Sequence, residues 1–278
     1  MKPVPFSSSK ENCDRILRMK IISWNVNGIR AVERKGDLEA FLKTHNPDVV
    51  LFQEIKCKEE QVQPLIKKYA DYTQFYHSAE KAGYAGTAIW MKKEDPSTAL
   101  MTTFVAGMPD FKDTEGRISR VDFENTTILG VYFPNGGKSE EAWAGKLVFY
   151  EKFLAYVNVL RAEGRGVIFA GDVNCAHEAI DLARPKDNEG KIGFHPDERA
   201  HLDGWIEDNW IDVWREFNPG VENVYSWWHV ITRARLRNVG WRIDYFFVEK
   251  ALLSKVKHIE YLTEQMGSDH CPVLLEYK

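Results

Sequence analysis

The sequence is short of cysteine, of long apolar runs and of any dominant charge, and each shortage removes a class of function. Its 278 residues hold four cysteines, Cys13, Cys57, Cys175 and Cys271, without a CxxC pair or the spacing of a disulfide framework. That excludes a cysteine-based zinc site and fits a reducing, cytoplasmic compartment, nucleoid-associated or nuclear according to the cell. No apolar run approaches the roughly 20 residues that span a bilayer, so membrane insertion is not expected. Residues 1–18, with Pro3, Pro5 and Ser7 to Ser9 among mixed charges, lack the apolar core of a signal peptide and read as a flexible arm. Met19 could serve as an alternative start. The net charge of −4 speaks against a protein that coats nucleic acid. It does not speak against one that cuts it, because carboxylates at a metal site can sit inside a local basic rim.

What is present is ordinary globular chemistry, 44% hydrophobic and 28% charged, arranged as alternating strand-like and helix-like segments. Strands are expected at 21–25, 48–53, 74–78, 87–91, 167–170, 243–248, 256–261 and 272–277. A hairpin is expected from 118–123 and 127–133, turning near Glu124-Asn125. Helices are expected at 36–44, 140–163 and 197–209, the second stopped by Gly164. Roughly ten strands with few helices, and no low-complexity linker or short repeat after residue 19, predict two sheets packed face to face with helices outside. Residues 19–278 are read as one domain.

Several of these strands end in an acid or an amide. Ile21 to Trp24 runs into Asn25-Val26-Asn27-Gly28, and the apolar strand before Gln53 delivers Glu54. The run 167–170 leads into Gly171-Asp172-Val173-Asn174, Asp244 follows Gly240-Trp241-Arg242, and Gly267-Ser268-Asp269-His270 precedes the last strand. Any one of these reads most simply as a turn. Together, at one edge of a sandwich, they would crowd like charges at a cost that a cation relieves. Hard oxygen ligands without a cysteine pair or HExxH suit magnesium or manganese rather than zinc. His270 adds a titratable imidazole beside that pocket. His45, His77, His195, His201 and His258 have no such surroundings and read as surface or structural residues.

In order along the chain stand SWNVNGIRA (23–31), LFQEIK (51–56), GYAG (83–86), DTEGRI (113–118), VYFPNG (131–136), GDVNCAHEAIDLARPK (171–186), RNVGWRIDYFF (237–247) and GSDHCP (267–272). By these motifs, residues 19–278 resemble the exonuclease III class of AP endonucleases, within the endonuclease/exonuclease/phosphatase superfamily. The resemblance implies a four-layered α/β-sandwich with its site at one edge of the packed sheets. It implies hydrolysis of the phosphodiester 5′ to an abasic site in duplex DNA, leaving a 3′-hydroxyl, with 3′–5′ exonuclease and end-cleaning activity, by a monomer. Glu54 is implied as the main magnesium ligand. Asn25, Asn27 and Asp269 would stand in or just outside the metal's shell, and Asp172, Asn174 and His270 would complete the pocket.

The expected chemistry has Asp172 orienting the attacking water beside Asn174, and His270, paired with Asp244, held as an imidazolium on the phosphate. Tyr132 and Asn135 would supply a phenol and an amide there. Trp227, Trp241 and Ile243 would form the apolar pocket for a flipped-out, baseless sugar, whereas Trp228 reads as core. Arg30, Lys35, Tyr84, Lys138, Arg184, Lys186 and Asn188 are expected in DNA-contacting loops. The sequence departs from the pattern in four places. Val173 replaces a larger residue, His229-Val230-Ile231-Thr232 replaces a Ser-Tyr-Arg segment, the stretch 141–147 lacks a tyrosine before its lysine, and Ile22 replaces a mammalian cysteine. The competing readings are a phosphatase or phosphodiesterase of the superfamily, which should lack GWRIDY and GYAG, and a noncatalytic DNA-binding paralogue, which should have lost a core residue.

Overall fold

A computed structural model describes residues 19–93, 103–123 and 125–278; the expected arm, with Cys13, lies outside the described residues, as does Glu124 of the expected hairpin turn. The chain begins β1 (Met19–Asn25), α1 (Ile29–Arg34), α2 (Asp37–His45), β2 (Val49–Gln53), α3 (Glu59–Lys68), β3 (Tyr72–His77) and β4 (Thr87–Lys92). It continues through β5 (Thr103–Ala106), β6 (Ile118–Phe123), β7 (Thr126–Tyr132), α4 (Glu140–Ala162), β8 (Gly166–Asp172), α5 (Pro185–Asn188) and α6 (Pro196–Glu207). The remainder is β9 (Trp210–Asp212), α7 (Val213–Phe217), β10 (Trp227–Trp228), β11 (Gly240–Trp241), β12 (Asp244–Glu249), β13 (Val256–Tyr261) and β14 (Val273–Tyr277).

Two six-stranded sheets form, in the orders β13-β14-β1-β2-β4-β3 and β5-β6-β7-β8-β12-β9, with β10 and β11 as a separate ribbon. The strands read as near-continuous apolar runs because both faces of each sheet are covered. Ile21, Val49, Leu51 and Ile89 of the first sheet share one buried cluster with Ile128, Ile168, Ala170 and Phe246 of the second. The alternate residues Ile22, Trp24, Val50, Phe52 and Trp90 pack outward on Ile29, Val32, Leu38, Phe41, Val62 and Leu65 of α1 to α3. Leu129, Val131, Val167, Phe169 and Phe247 likewise pack on Phe149, Phe153, Val157, Leu202 and Trp205 of α4 and α6. Helix, sheet, sheet, helix is the four-layered α/β-sandwich expected.

Each sheet has one parallel pair at its centre, β1 with β2 and β7 with β8. Parallel neighbours end at the same edge, so Asn25, Gln53, Tyr132 and Asp172 all arrive where their strands stop. The neighbouring strands β14 and β12 run antiparallel to β1 and β8, with Ser23 opposite Val273 and Asp172 opposite Asp244. They therefore begin at that edge, and their leading residues, His270 and Asp244, join the others there.

Differences from expectation lie in short elements. Among the described residues there are fourteen strands rather than about ten, because β5, β9, β10 and β11 run only two to four residues, too short for alternation to register. The single turn of α1 and the helix α3 were not foreseen. Pro64 sits inside α3 and would normally end a helix.

Candidate active site

The β1–β2 edge carries unusual backbone. After β2 the chain takes positive φ at Glu54 (50°) and Lys56 (50°), and after β1 at Asn27 (45°). Residues with side chains adopt this region at a cost of about 1–3 kcal/mol unless their surroundings fix it. The surroundings here are backbone bonds between the two loops, Gly28 N–H to Glu54 O at 2.7 Å and Ile29 N–H to Ile55 O at 3.2 Å. Glu54 is thereby turned toward the end of the neighbouring sheet.

Its carboxylate meets Asp172 through Asn25. The fully buried Asn25 amide donates from Nδ2 to Glu54 Oε1 at 3.0 Å and to Asp172 Oδ2 at 2.9 Å. Its Oδ1 accepts the Asn27 N–H at 3.0 Å, which fixes the amide's orientation. Asn25 thus presents its amino group to both carboxylates and stands between them as a donor. Asn27 bridges outward, donating to Asp269 Oδ1 at 2.9 Å and accepting from Lys56, which also pairs with Glu54 at 2.8 Å.

On the other sheet, Asn174 has φ 56° and its N–H donates to Asp172 Oδ1 at 2.8 Å. Its Nδ2 reaches Phe133 O at 2.9 Å, and its Oδ1 accepts from Asn135 Nδ2 at 3.1 Å. His270 places Nδ1 2.8 Å from Asp244 Oδ2 and Nε2 3.8 Å from Asp172 Oδ2. Among the described residues, Glu54, Asp172 and His270 offer ligand atoms all within 4.8 Å of one another, a group that could hold a metal ion.

The electrostatics follow from burial. Burial raises the Asp172 carboxyl above the ordinary range, with Asp244 and Glu54 adding to it and His270 opposing. Burial alone would lower His270, yet the Asp244 carboxylate and its hydrogen bond hold the imidazole well above its usual value. Burial also opposes ionisation of Glu54, but Asn25 and Lys56 outweigh it and keep that carboxyl low. Asp269 is kept low against burial by His270, Asn27 and the Trp227 indole, whose Nε1 lies 3.1 Å from Asp269 Oδ2. Tyr132 is raised far above a free phenol by burial.

Around this cluster, Trp227 and Trp241 meet edge to face with centroids 6.4 Å apart, on a small apolar group of Ala176, Leu182, Phe194 and Ile243. The three residues expected to form an apolar pocket are together, and Trp228 is buried, as expected. On the opposite rim the Lys138 ammonium bonds the Tyr84 hydroxyl at 2.6 Å, and Tyr84 packs on Tyr132. A cavity of about 830 Å³ opens beside the carboxylates rather than over them, lined by Asn27, Lys35, Trp228, His229, Val230, Arg233 and Asp269 among others.

Against this geometry the comparisons with known proteins converge. Residues 22–270 match the endonuclease/exonuclease/phosphatase family. The chain belongs to that family. A Bacillus subtilis protein named exodeoxyribonuclease is 39% identical over 259 residues, 92% of this chain and 98% of its own. A DNA-(apurinic or apyrimidinic site) endonuclease of Dictyostelium discoideum is 35% identical over 92% of this chain and 70% of its own length. The AP endonuclease LMAP of Leishmania major superposes with a TM-score of 0.84 at 27% identity, covering 99% of this chain and 92% of that one.

Within the family frame, some expected residues stand differently. Arg30 lies on α1, and Lys186 and Asn188 lie on α5, rather than in loops, because Pro185 starts a helical turn. Lys35 caps α1, and Arg184 precedes α5. Asn188 spends its amide on Arg184 O at 2.8 Å. The reading of the sequence missed Lys56 and Arg117, although both sit inside quoted motifs. Arg117 is buried, donates to Tyr132 O at 2.9 Å and lies 4.7 Å from the Tyr132 ring centroid. Its charge partner, Glu115, lies in the same motif at 2.5 Å, but nothing local reveals that the guanidinium also reaches the carbonyl and ring of Tyr132, fifteen residues on.

Proposed function

We propose that residues 19–278 form one catalytic domain, a monomeric DNA repair nuclease that hydrolyses the phosphodiester 5′ to an abasic site and leaves a 3′-hydroxyl, with 3′–5′ exonuclease and end-cleaning activity. The observation that carries the reading is the convergence of Glu54, Asp172 and His270 from both sheets beside the Trp227–Trp241 aromatic pair. A phosphatase on small phosphates needs the first but has no use for the second.

The carboxylates fit a hard divalent cation, magnesium or manganese. Asp172 is held high by burial, with the neighbouring Asp244 and Glu54 carboxyls adding to it, a situation that a bound cation relieves. Such an ion, held by Glu54 and Asp172, would polarise a phosphoryl oxygen and offset charge on the departing 3′ oxygen. The protein's own groups do the rest. Asp172 accepts a proton from the attacking water, while the Asn174 N–H fixes its carboxylate. A protonated imidazole has no lone pair to give a metal, so His270, charged against Asp244, acts as a donor to the phosphate rather than a ligand. Tyr132 stays a neutral phenol, able to donate a hydrogen bond. Asn135, placed by Asn174, offers its amide at the same edge. Trp227 and Trp241 receive the baseless sugar, whose extrusion costs least because it is unstacked and unpaired.

The test is cleavage of duplex DNA bearing one abasic analogue, against intact, uracil-containing and recessed duplexes, with magnesium and with EDTA. The abasic strand is expected to be cut 5′ to the lesion, with magnesium alone. Cleavage that survives EDTA contradicts the metal assignment. Asp172→Asn is expected to lower turnover by about three orders of magnitude or more while DNA binding survives, and near-normal cutting by that variant would sink the mechanism.

A further inference from the structure

Lys146 is a lysine with no exposed surface, on the inward face of α4, and nothing in the reaction as described above uses it. Its ammonium forms an ion pair with the Glu198 carboxylate of α6, itself fully buried. It donates to two backbone carbonyls, Asn174 O at 2.8 Å and Asn135 O at 3.2 Å. Glu198 in turn accepts the Gly193 N–H at 2.7 Å and the His195 N–H at 3.0 Å.

A buried ion pair of this kind is weak evidence for stability, since two desolvated charges cost several kcal/mol and an apolar pair of similar volume often does as well. What an apolar pair cannot do is hold two carbonyls from different loops. Asn135 and Asn174 lie on those loops, and their side chains bond each other at 3.1 Å. Asn174 occupies positive φ, its N–H is committed to Asp172, and its carbonyl is turned inward to Lys146. Removing the ammonium would leave that carbonyl without the hydrogen bond that holds it inward. Less would then oppose the strain of the positive φ, and the peptide would turn over more readily. Gly136 fits the same arrangement. A side chain there would begin 3.0 Å from the Lys146 Cδ, so the loop lies directly on the lysine's stem.

We propose that Lys146 is a positioning residue for phosphodiester hydrolysis. Its ammonium, charge-balanced by Glu198, clamps the loops of Asn135 and Asn174 together through their carbonyls and so sets the carboxylate of Asp172 and the amide of Asn135 in register. The proposal rests on the functional reading above.

The experiment compares wild type with Lys146→Met/Glu198→Gln, which removes both charges yet keeps an acceptor for the two N–H groups, and with Glu198→Gln alone, which leaves the ammonium on its carbonyls. Urea unfolding, magnesium-dependent kcat and KM on the abasic duplex, and amide hydrogen exchange at Asn174 are measured for each. The double variant is expected to unfold near the wild-type midpoint, with KM within about twofold. A misplacement of about 1 Å can cost a hundredfold in rate, so kcat is expected to fall by about tenfold to a hundredfold. Exchange at Asn174 should rise at least about tenfold. Glu198→Gln leaves the buried ammonium without its counter-charge, so its urea midpoint is expected to fall, while its kcat below that midpoint stays within about threefold of wild type because the two carbonyl bonds remain. Wild-type kcat or wild-type Asn174 exchange in the double variant overturns the proposal. So does a loss of kcat in Glu198→Gln equal to that of the double variant, which would make the ion pair rather than the carbonyl bonds responsible. If wild type leaves the abasic duplex intact, the functional reading fails, and the exchange arm still decides the clamp.

Discussion

A β-carbon built on Gly171 would stand 1.8 Å from the carbonyl oxygen of Val131, on the adjacent strand, and the residue's φ of 150° lies where side chains are rarely found. The next residue is Asp172, paired in register with Tyr132. Gly171→Ala must therefore push the end of β8 off β7 at the point where the site begins. Urea unfolding is expected to show a loss of about 2–4 kcal/mol, and turnover on an abasic duplex should fall at least about a hundredfold. Activity within a few-fold of wild type would show that the strand end can move without harm. At this scale the sequence was informative about identity and poor about direction. Glu54, Asp172 and His270 could be picked out because acids and imidazole at apolar strand ends are conspicuous. That Asn25 faces the carboxylates with its amino group could not, because an amide offers oxygen and nitrogen from one position and only the Asn27 N–H decides between them.

The elements divide by how much of their pattern is local. Helix α4 was legible almost to the residue: it is expected at 140–163, found at Glu140–Ala162, and bounded by a Ser139 cap and by Gly164. Its buried positions are Lys146, Phe149, Tyr150, Phe153, Tyr156, Val157 and Leu160, an i, i+3, i+4, i+7 stripe. Read as sequence, the lysine looks like the place where the stripe stops. In the folded protein it is the member nearest the site. The helix's other inward residues have a different role. Phe153 packs against Phe133, Phe149, Phe169 and Trp205, with ring centroids 5.1 to 6.3 Å away. Phe153→Ala is expected to cost about 3–5 kcal/mol in urea unfolding while leaving kcat at 20 °C within about twofold. A large loss of kcat with stability unchanged would instead place this face of the helix in the mechanism. Ribbons β10 and β11 were illegible because a two-residue strand has no period, and they exist through their pairing of Trp227 with Trp241.

Across the whole molecule, one buried charge network ties the second sheet to the loops beside the site. Arg242 is fully buried and bonds Asp181 through Nε at 2.8 Å and Asp212 through Nη2 at 2.7 Å, and Asp181 also takes Arg215 at 2.5 Å. Burial would raise the Asp181 carboxyl, but Arg242 and its hydrogen bonds hold it down at about 2. A depressed carboxyl stabilises above its unfolded value, near 4, and the benefit drains away as the pH falls toward 2. Between those limits the wild type is expected to lose about 2 kcal/mol more than Asp181→Asn in urea unfolding. Equal slopes would show that the network is not linked to protonation. The network was not legible, since Asp181, Asp212 and Arg242 are far apart in sequence, and although Asp181 and Arg242 stand in quoted motifs nothing local pairs them. The order of the sheets was legible only as a class, because pairing across so many residues leaves no local trace. The same distance has a consequence for the site as a whole. The groups that meet at the edge stand at positions 25, 54, 132, 172, 244 and 270 and come from both sheets. Neither sheet alone holds the full set, so the proposed site exists only where the two sheets are packed together, and loss of that packing would take the site apart in the same step.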